Sequence, residues 1–162
     1  MSKSSRRGFI RAASGAAVAA PVLAVTATPA AAEPEAAGWC KPKKEIVYPN
    51  GEPPTEQPLF SPVVTFGDLV FISGLGAHFE GDITSHTEHV LNEVERYLEA
   101  AGSSMAKVLK VNVYLNSLDD YDGMNAVFLG RFGRKPGVRT TIAAAAGIPG
   151  DSLVEIDCIA CR

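Results

Sequence analysis

GVRTTIAAAAGIPGDSLVEIDCIA, from Gly137 to Ala160, holds two apolar-rich runs on either side of a Gly147-Ile148-Pro149-Gly150-Asp151 turn. Runs of this kind, parted by Gly and Pro, predict two β-strands, Val138–Ala145 and Leu153–Cys161, joined as a β-hairpin. Each run puts one ionisable residue where a buried strand normally carries an apolar one: Arg139 in the first and Glu155 in the second. An Arg and a Glu on neighbouring core strands cost desolvation energy unless they are paired or put to use. Brought together in a pocket, they supply a rigid fork for a carboxylate and a group able to handle a proton from water. A plain Arg139–Glu155 ion pair, across the sheet or at a subunit seam, is the competing reading of the same residues.

Upstream of this stretch the chain alternates strand and helix signals. Glu45–Tyr48 reads as a short strand, and the proline-rich Asn50–Pro62 as a loop. Val63–Phe66 and Leu69–Ser73 flank Gly67-Asp68, a hairpin signal. A helix is expected over Ile83–Ala101, with Val90, Leu91, Val94, Leu98 and Ala101 on one stripe. Ser85 and Glu88 have capping-box spacing, and Gly102 stands where a C-terminal cap belongs. Lys110–Leu115 alternates as a strand with Val111, Val113 and Leu115 on one face. Asp119 or Asp120 can cap a second helix over Tyr121–Phe132, with Met124, Val127 or Phe128, and Phe132 toward the core. This order predicts a single α+β domain with two helices on one face of a mixed sheet.

The N-terminus has a different character. Ser5-Arg6-Arg7-Gly8-Phe9-Ile10-Arg11 matches a twin-arginine export signal, followed by an Ala-rich stretch and small residues Ala30–Ala32 at a cleavage site. Residues 1–32 are therefore expected to be a signal peptide, 33–44 a loose leader and 45–162 the domain, in a periplasmic or secreted protein with no membrane attachment after cleavage. Four of the 15 basic side chains lie in the signal, which leaves 11 against 18 acidic ones and a net charge near −7. That balance, with no basic patch interleaved with aromatics, argues against nucleic acid as a partner. Cys40, Cys158 and Cys161 are an odd set. A Cys40–Cys161 bridge is one pairing that an oxidising compartment allows. The Cys158/Cys161 pair falls in a strand, where residues three apart face opposite sides, so thioredoxin-type redox chemistry is not expected. His86 and His89, with Glu93 nearby, have helical metal-ligand spacing but no further ligands; they read as ordinary polar residues on a solvated helix face, and no metal is expected.

Several segments taken together resemble a known family. Leu59-Phe60-Ser61-Pro62, Gly67-Asp68-Leu69-Val70-Phe71-Ile72-Ser73-Gly74, Met124-Asn125, Val138-Arg139-Thr140-Thr141 and Val154-Glu155-Ile156 are similar, in order and spacing, to the RidA (YjgF-type) reactive-intermediate deaminases. The resemblance runs from about Glu45 to the C-terminus. It implies a chorismate-mutase-like subunit, a homotrimer with active sites in clefts between subunits, and no cofactor or metal. It also implies hydrolysis of enamines and 2-imino acids to 2-keto acids and ammonia.

On that resemblance Arg139 anchors the substrate carboxylate, Glu155 positions water and moves a proton, and Phe60, Ser73, Asn125 and Thr141 line the substrate site. Read without the resemblance, Asn125 is a helix residue whose side chain caps or ties down a loop. The chain departs from the family pattern at Phe60, where many members have Tyr, and at Leu75, where Gln is usual. The run Ala143–Ala146 is one residue longer before Pro149, an insertion that can form a β-bulge or flip the facing of later residues. A non-catalytic trimer that binds a small carboxylate through Arg139 is the alternative function. A chaperone-like or nuclease role has little support in the residues, since the acidic charge argues against RNA.

Overall fold

The computed structural model describes residues 41–162. The expected signal over residues 1–32, most of the leader, and Cys40 with its bridge to Cys161 lie outside that range. Strands β1 (Lys44–Val47), β2 (Val63–Phe66) and β3 (Leu69–Gly76) form an antiparallel meander, and Gly67 takes the positive φ that the tight β2–β3 turn requires. Helix α1 (Ile83–Ala100), strand β4 (Val108–Leu115), helix α2 (Tyr121–Phe128), strand β5 (Val138–Ala143) and strand β6 (Val154–Cys161) follow. The fold is α+β: one mixed six-stranded sheet in the order β1-β2-β3-β6-β4-β5, with the two helices against one face.

The expected closing hairpin does not form. β5 runs parallel to β4, Arg139 beside Val111, while β6 lies antiparallel between β3 and β4. β4 therefore separates the two strands that are nearest in sequence. Ten residues, 144–153, connect them, against the two to five typical of hairpin loops, and this length carries the chain across β4. The central position suits β6 because Val154, Ile156, Cys158 and Ala160 are all buried on its helix side. Residues 144–146 of the alanine run lie in this connection: β5 ends at Ala143, and the Ala144 N–H donates to the Leu115 carbonyl at 2.8 Å. β6 pairs with β4 in unbroken register from Lys110–Ile159 to Leu115–Val154, so nothing downstream is flipped.

The α1 stripe is as expected, with Val90, Leu91, Val94 and Leu98 fully buried against β3 and β6. Its N-terminal cap is one turn earlier than the expected Ser85/Glu88 pair. Asp82 holds an extended backbone and accepts the Ser85 N–H at 2.8 Å, while the Ser85 hydroxyl accepts the Asp82 N–H at 3.0 Å. Gly102, at φ +77°, closes the other end: its N–H reaches the Glu99 carbonyl, and that of Ser103 reaches Leu98. α2 stops at Phe128 rather than Phe132, because the chain turns out at Leu129 and takes positive φ at Gly130 and Gly133. Phe132 is still buried, its ring 4.8 Å from that of Phe128. Asp120 occupies the α2 cap position without a side-chain bond; Ser117 caps the 3₁₀ turn just before it.

His86 is not on a solvated face. It is buried, and its Nδ1 accepts the Leu153 N–H at 3.1 Å. That fixes the proton on Nε2, which donates to the Phe79 carbonyl at 2.9 Å. The neutral ring thereby ties the β3–α1 loop to the start of β6, while His89 stays outside against the Phe79 ring.

The backbone N–H of Ser85, first, and then its hydroxyl hold the Asp82 carboxyl below the ordinary aspartate range. A lowered folded value means that the cap contributes stability above the unfolded value and loses it as pH falls through the folded one. Asp82→Ala should therefore lower the urea midpoint at neutral pH, and the gap to the wild type should close at about pH 2. Equilibrium denaturation of both proteins at the two pH values checks this; a gap that is unchanged in acid would show that the carboxylate is not the cap.

Candidate active site

Arg139 and Glu155 do not meet within one chain. Arg139 shares its side of the sheet with its buried neighbour Val111, and so points toward the helices. Glu155 pairs with Tyr114 on the opposite, open side, between the inward-facing Val154 and Ile156. The pocket expected from a hairpin is thus replaced by two half-sites on opposite faces.

The first half-site is built by β5 and α2. The Arg139 guanidinium carbon lies 4.7 Å from the Phe128 ring centroid and 6.0 Å from that of Tyr121. Its Nη2 is 3.5 Å from the Tyr121 hydroxyl and its Nη1 4.0 Å from the Met124 sulfur. No carboxylate pairs with it among the described residues, whereas Arg96 grips Glu93 at 2.6 Å and Arg131 lies 3.6 Å from Glu95. A half-buried guanidinium stacked on aromatics keeps its donor edge free for an incoming anion. Thr141, two residues on and on the same face, has a buried hydroxyl with no hydrogen-bond partner among the described residues. Asn125 lies half-buried on α2, its backbone carbonyl accepting from the Leu129 N–H at 3.1 Å.

The second half-site is built by β3, β6 and the loop before β2. Phe60 and Ser73 line one open cavity of about 330 Å³, and the Ser73 N–H donates to the Pro62 carbonyl at 3.0 Å. Between Ile72 and Leu75 the β3–β6 register shifts, and Gly74 sits at this bulge. A Cβ at Gly74 would overlap the Glu155 carboxylate oxygen Oε1 and stand 2.8 Å from its Cδ. A side chain at position 74 would push that carboxylate out of this place. Gly74 also lines the Phe60–Ser73 cavity, whose further walls include His89, Glu93 and Tyr97 of α1 and not Glu155.

Three further residues were not singled out by the sequence. Asp157, two along from Glu155 on the open face, accepts from Asn112 Nδ2 at 2.8 Å and from the Tyr114 hydroxyl at 3.0 Å. Burial, first, and the bond to Asp157 hold the Tyr114 hydroxyl above the ordinary phenol range. Tyr114 and Glu155 share a cavity of about 180 Å³ with Ile148 and Pro149. Strand alternation already set Asn112 and Tyr114 on one face and Glu155 with Asp157 on another. The missing information was that β6 lies next to β4.

A cavity of about 450 Å³ between His78, Phe79, His86 and Asp151 contains none of the six expected site residues. Burial pushes the Cys158 thiol up to about 12, which leaves it unreactive at neutral pH, while Cys161 is half-exposed on the opposite face of β6.

Comparison with known proteins identifies this arrangement. Residues 51–162 match the family model described as Endoribonuclease L-PSP. A RutC family protein of Pyrococcus horikoshii is 34% identical over 72% of this chain and 97% of its own length. The 3-aminoacrylate deaminase RutC of Acinetobacter baylyi is 30% identical over 72% of this chain and 97% of its own length. Reactive Intermediate Deaminase A of Arabidopsis thaliana chloroplasts is also 30% identical, over 73% of this chain and 66% of its own. Among solved structures, a putative endoribonuclease of Thermotoga maritima superposes with a TM-score of 0.65 at 30% identity, over 73% of this chain and 97% of that one. A YjgF family member of Neisseria meningitidis gives 0.64 at 26% identity, over 74% and 95%. With relatives spanning the domain from the proline-rich loop to the last strand, this chain belongs to the L-PSP family that includes the RidA and RutC deaminases.

Proposed function

We propose that this protein is an exported hydrolase of reactive enamines and 2-imino acids, producing a 2-keto acid and ammonia. The observation that carries the reading is the aromatic-stacked guanidinium of Arg139, which has no carboxylate partner among the described residues. Its free donor edge suits the carboxylate of a 2-imino acid, which accepts two parallel N–H bonds from a guanidinium. Glu155 takes a proton from water as the oxygen adds to the C=N carbon, and passes it to nitrogen. The carbinolamine then collapses: the hydroxyl proton passes through Glu155 to the amino nitrogen, the C–N bond breaks as the C=O bond forms, and ammonia departs from the new ketone. Relatives named as deaminases support the reaction class.

Because the two charged groups face opposite sides of one sheet, the site is proposed to form between copies in a homotrimer. Arg139 and Thr141 come from one copy, and Glu155, Ser73 and Phe60 from its neighbour. The open sheet face supports such an assembly: Phe66, Leu69, Phe71, Leu109, Val138 and Ile142 stand 37–69% exposed on it, apolar side chains that a neighbouring copy would cover. Export by the twin-arginine route is proposed from Arg6-Arg7 and the Ala-rich stretch that follows.

The test generates 2-imino acids with an amino-acid oxidase, traps surviving imine with semicarbazide, and measures competition by the protein. Arg139→Ala should cut kcat/KM on carboxylated imines at least ~100-fold, mostly through KM. Glu155→Gln should lower kcat by about 10²–10⁴ with KM little changed, and Gly74→Ala, which displaces the same carboxylate, should reproduce that pattern. Wild-type protein that leaves every imine to the trap but still binds the keto acid would favour the carboxylate-binding alternative.

Mixing is the sharper experiment. Arg139→Ala and Glu155→Gln proteins, each inactive alone, should recover roughly a quarter of wild-type activity when unfolded and refolded together at equal amounts, because random trimers place an intact Arg139 against an intact Glu155 at that frequency. No recovery from a well-folded mixed trimer would mean that both groups act from one copy.

A further inference from the structure

We infer that His86 and Ser152 are positioning residues that fix the Glu155 carboxylate for its work on water and nitrogen, a conclusion that rests on the reading of the site as an imine deaminase. Glu155 is the second residue of β6, and strand ends open more readily than strand centres. Its hold on β3 is short: beyond the bulge between Ile72 and Leu75, the two strands pair only at Leu75–Ile156 and Gly76–Glu155. On the other side Tyr114–Glu155 and Leu115–Val154 are the last two pairs of the β4 ladder. A carboxylate that has to be placed to about 0.5 Å needs more support than a strand end supplies.

Two side chains from outside the strand supply that support. The Ser152 hydroxyl accepts the Ala77 N–H at 2.9 Å and donates to the Val154 carbonyl at 2.6 Å. It thus bridges β3 and β6 just past their last ladder pair, one residue beyond Gly76 and one residue before Glu155. His86 holds the residue between: its Nδ1 accepts the Leu153 N–H at 3.1 Å, while its Nε2 is anchored on the Phe79 carbonyl at 2.9 Å. The Leu153 carbonyl in turn accepts the Asn116 N–H at 2.9 Å. Ser152 and His86 are both buried, so water does not compete for these bonds. Their action on Glu155 runs through the backbone. With residues 152, 153 and 154 tied down in succession, the direction of the Glu155 side chain is set, and with it the place of the carboxylate over Gly74.

The experiment is a double-substitution cycle on the oxidase-generated imine that the wild type hydrolyses best, with full-chain proteins whose circular dichroism and assembly size match the wild type. His86→Leu and Ser152→Ala should each lower kcat about 10–100-fold and leave KM within about twofold. His86→Gln, whose amide can accept from Leu153 and donate to Phe79, should return to within about threefold of wild type. In a Glu155→Gln background, His86→Leu and Ser152→Ala should each cost less than about twofold, because the group they position is already gone. Should His86→Leu fail to fold, Ser152→Ala carries the same cycle. Wild-type kcat in the single variants, a loss confined to KM, or an equal loss in the Glu155→Gln background overturns the inference. If the wild type hydrolyses no imine, the deaminase reading falls and amide exchange judges the positioning. The Leu153 and Glu155 amides should then exchange about tenfold faster or more in His86→Leu, with the α1 amides unchanged; unaltered exchange at Glu155 overturns it.

Discussion

Everything in this subunit depends on the seating of β6 between β3 and β4. Its inward side chains, Val154, Ile156, Cys158 and Ala160, are buried under the helices, and burial of a large aliphatic side chain stabilises a fold by roughly 1.5–3 kcal/mol. A slip of one residue would bring Glu155 and Asp157 into the core and expose the aliphatics, so the register is held by a large penalty. Because the side-chain period is two, the force that fixes the core also fixes Glu155 and Asp157 on the open face. The β3 bulge then brings glycine, and not a side chain, beneath the Glu155 carboxylate. Packing and site geometry are one constraint here.

The same period sets Arg139 against Glu155. β5 pairs in parallel with β4 and sends Arg139 toward α2, where Phe128 and Tyr121 hold its guanidinium by contacts worth about 0.5–2 kcal/mol. An ion pair inside the subunit would consume the charge, as Glu93 does for Arg96. A guanidinium on a hydrocarbon and aromatic platform is oriented without being neutralised. Opposite facing thus prevents self-quenching, and it leaves the joining of acid and base to the assembly of copies proposed for the function.

Much of this was legible along the chain. The α1 stripe, the β2–β3 turn at Gly67, the alternation of β4 and the α+β class all follow from local periodicity, and the helix ends moved by a turn at most. Arg139 and Glu155 stood out because each interrupts an apolar run. What local pattern could not supply was strand order. Gly and Pro between two apolar runs mark a turn but do not say whether the second strand folds back beside the first or passes over a neighbour. The length of the 144–153 connection was the available signal, and it points away from a tight hairpin. His86 misled for a related reason: its buried position comes from two backbone partners remote in sequence, Phe79 and Leu153, that no helical period reveals.

The departures from the family pattern gain meaning once placed. Three of the four alanines of the Ala143–Ala146 run lie beyond the last residue of β5, in a connection where one residue more or less changes closure entropy little, and the β4–β6 register passes undisturbed. Phe60 and Leu75, by contrast, both lie on the wall of the Phe60–Ser73 cavity, where a hydroxyl and an amide would each have demanded a partner or a water. Replacing both by hydrocarbon lowers the cost of drying that wall. The two positions therefore alter the polarity of that wall alone and leave Arg139, Thr141 and Glu155 as they stand.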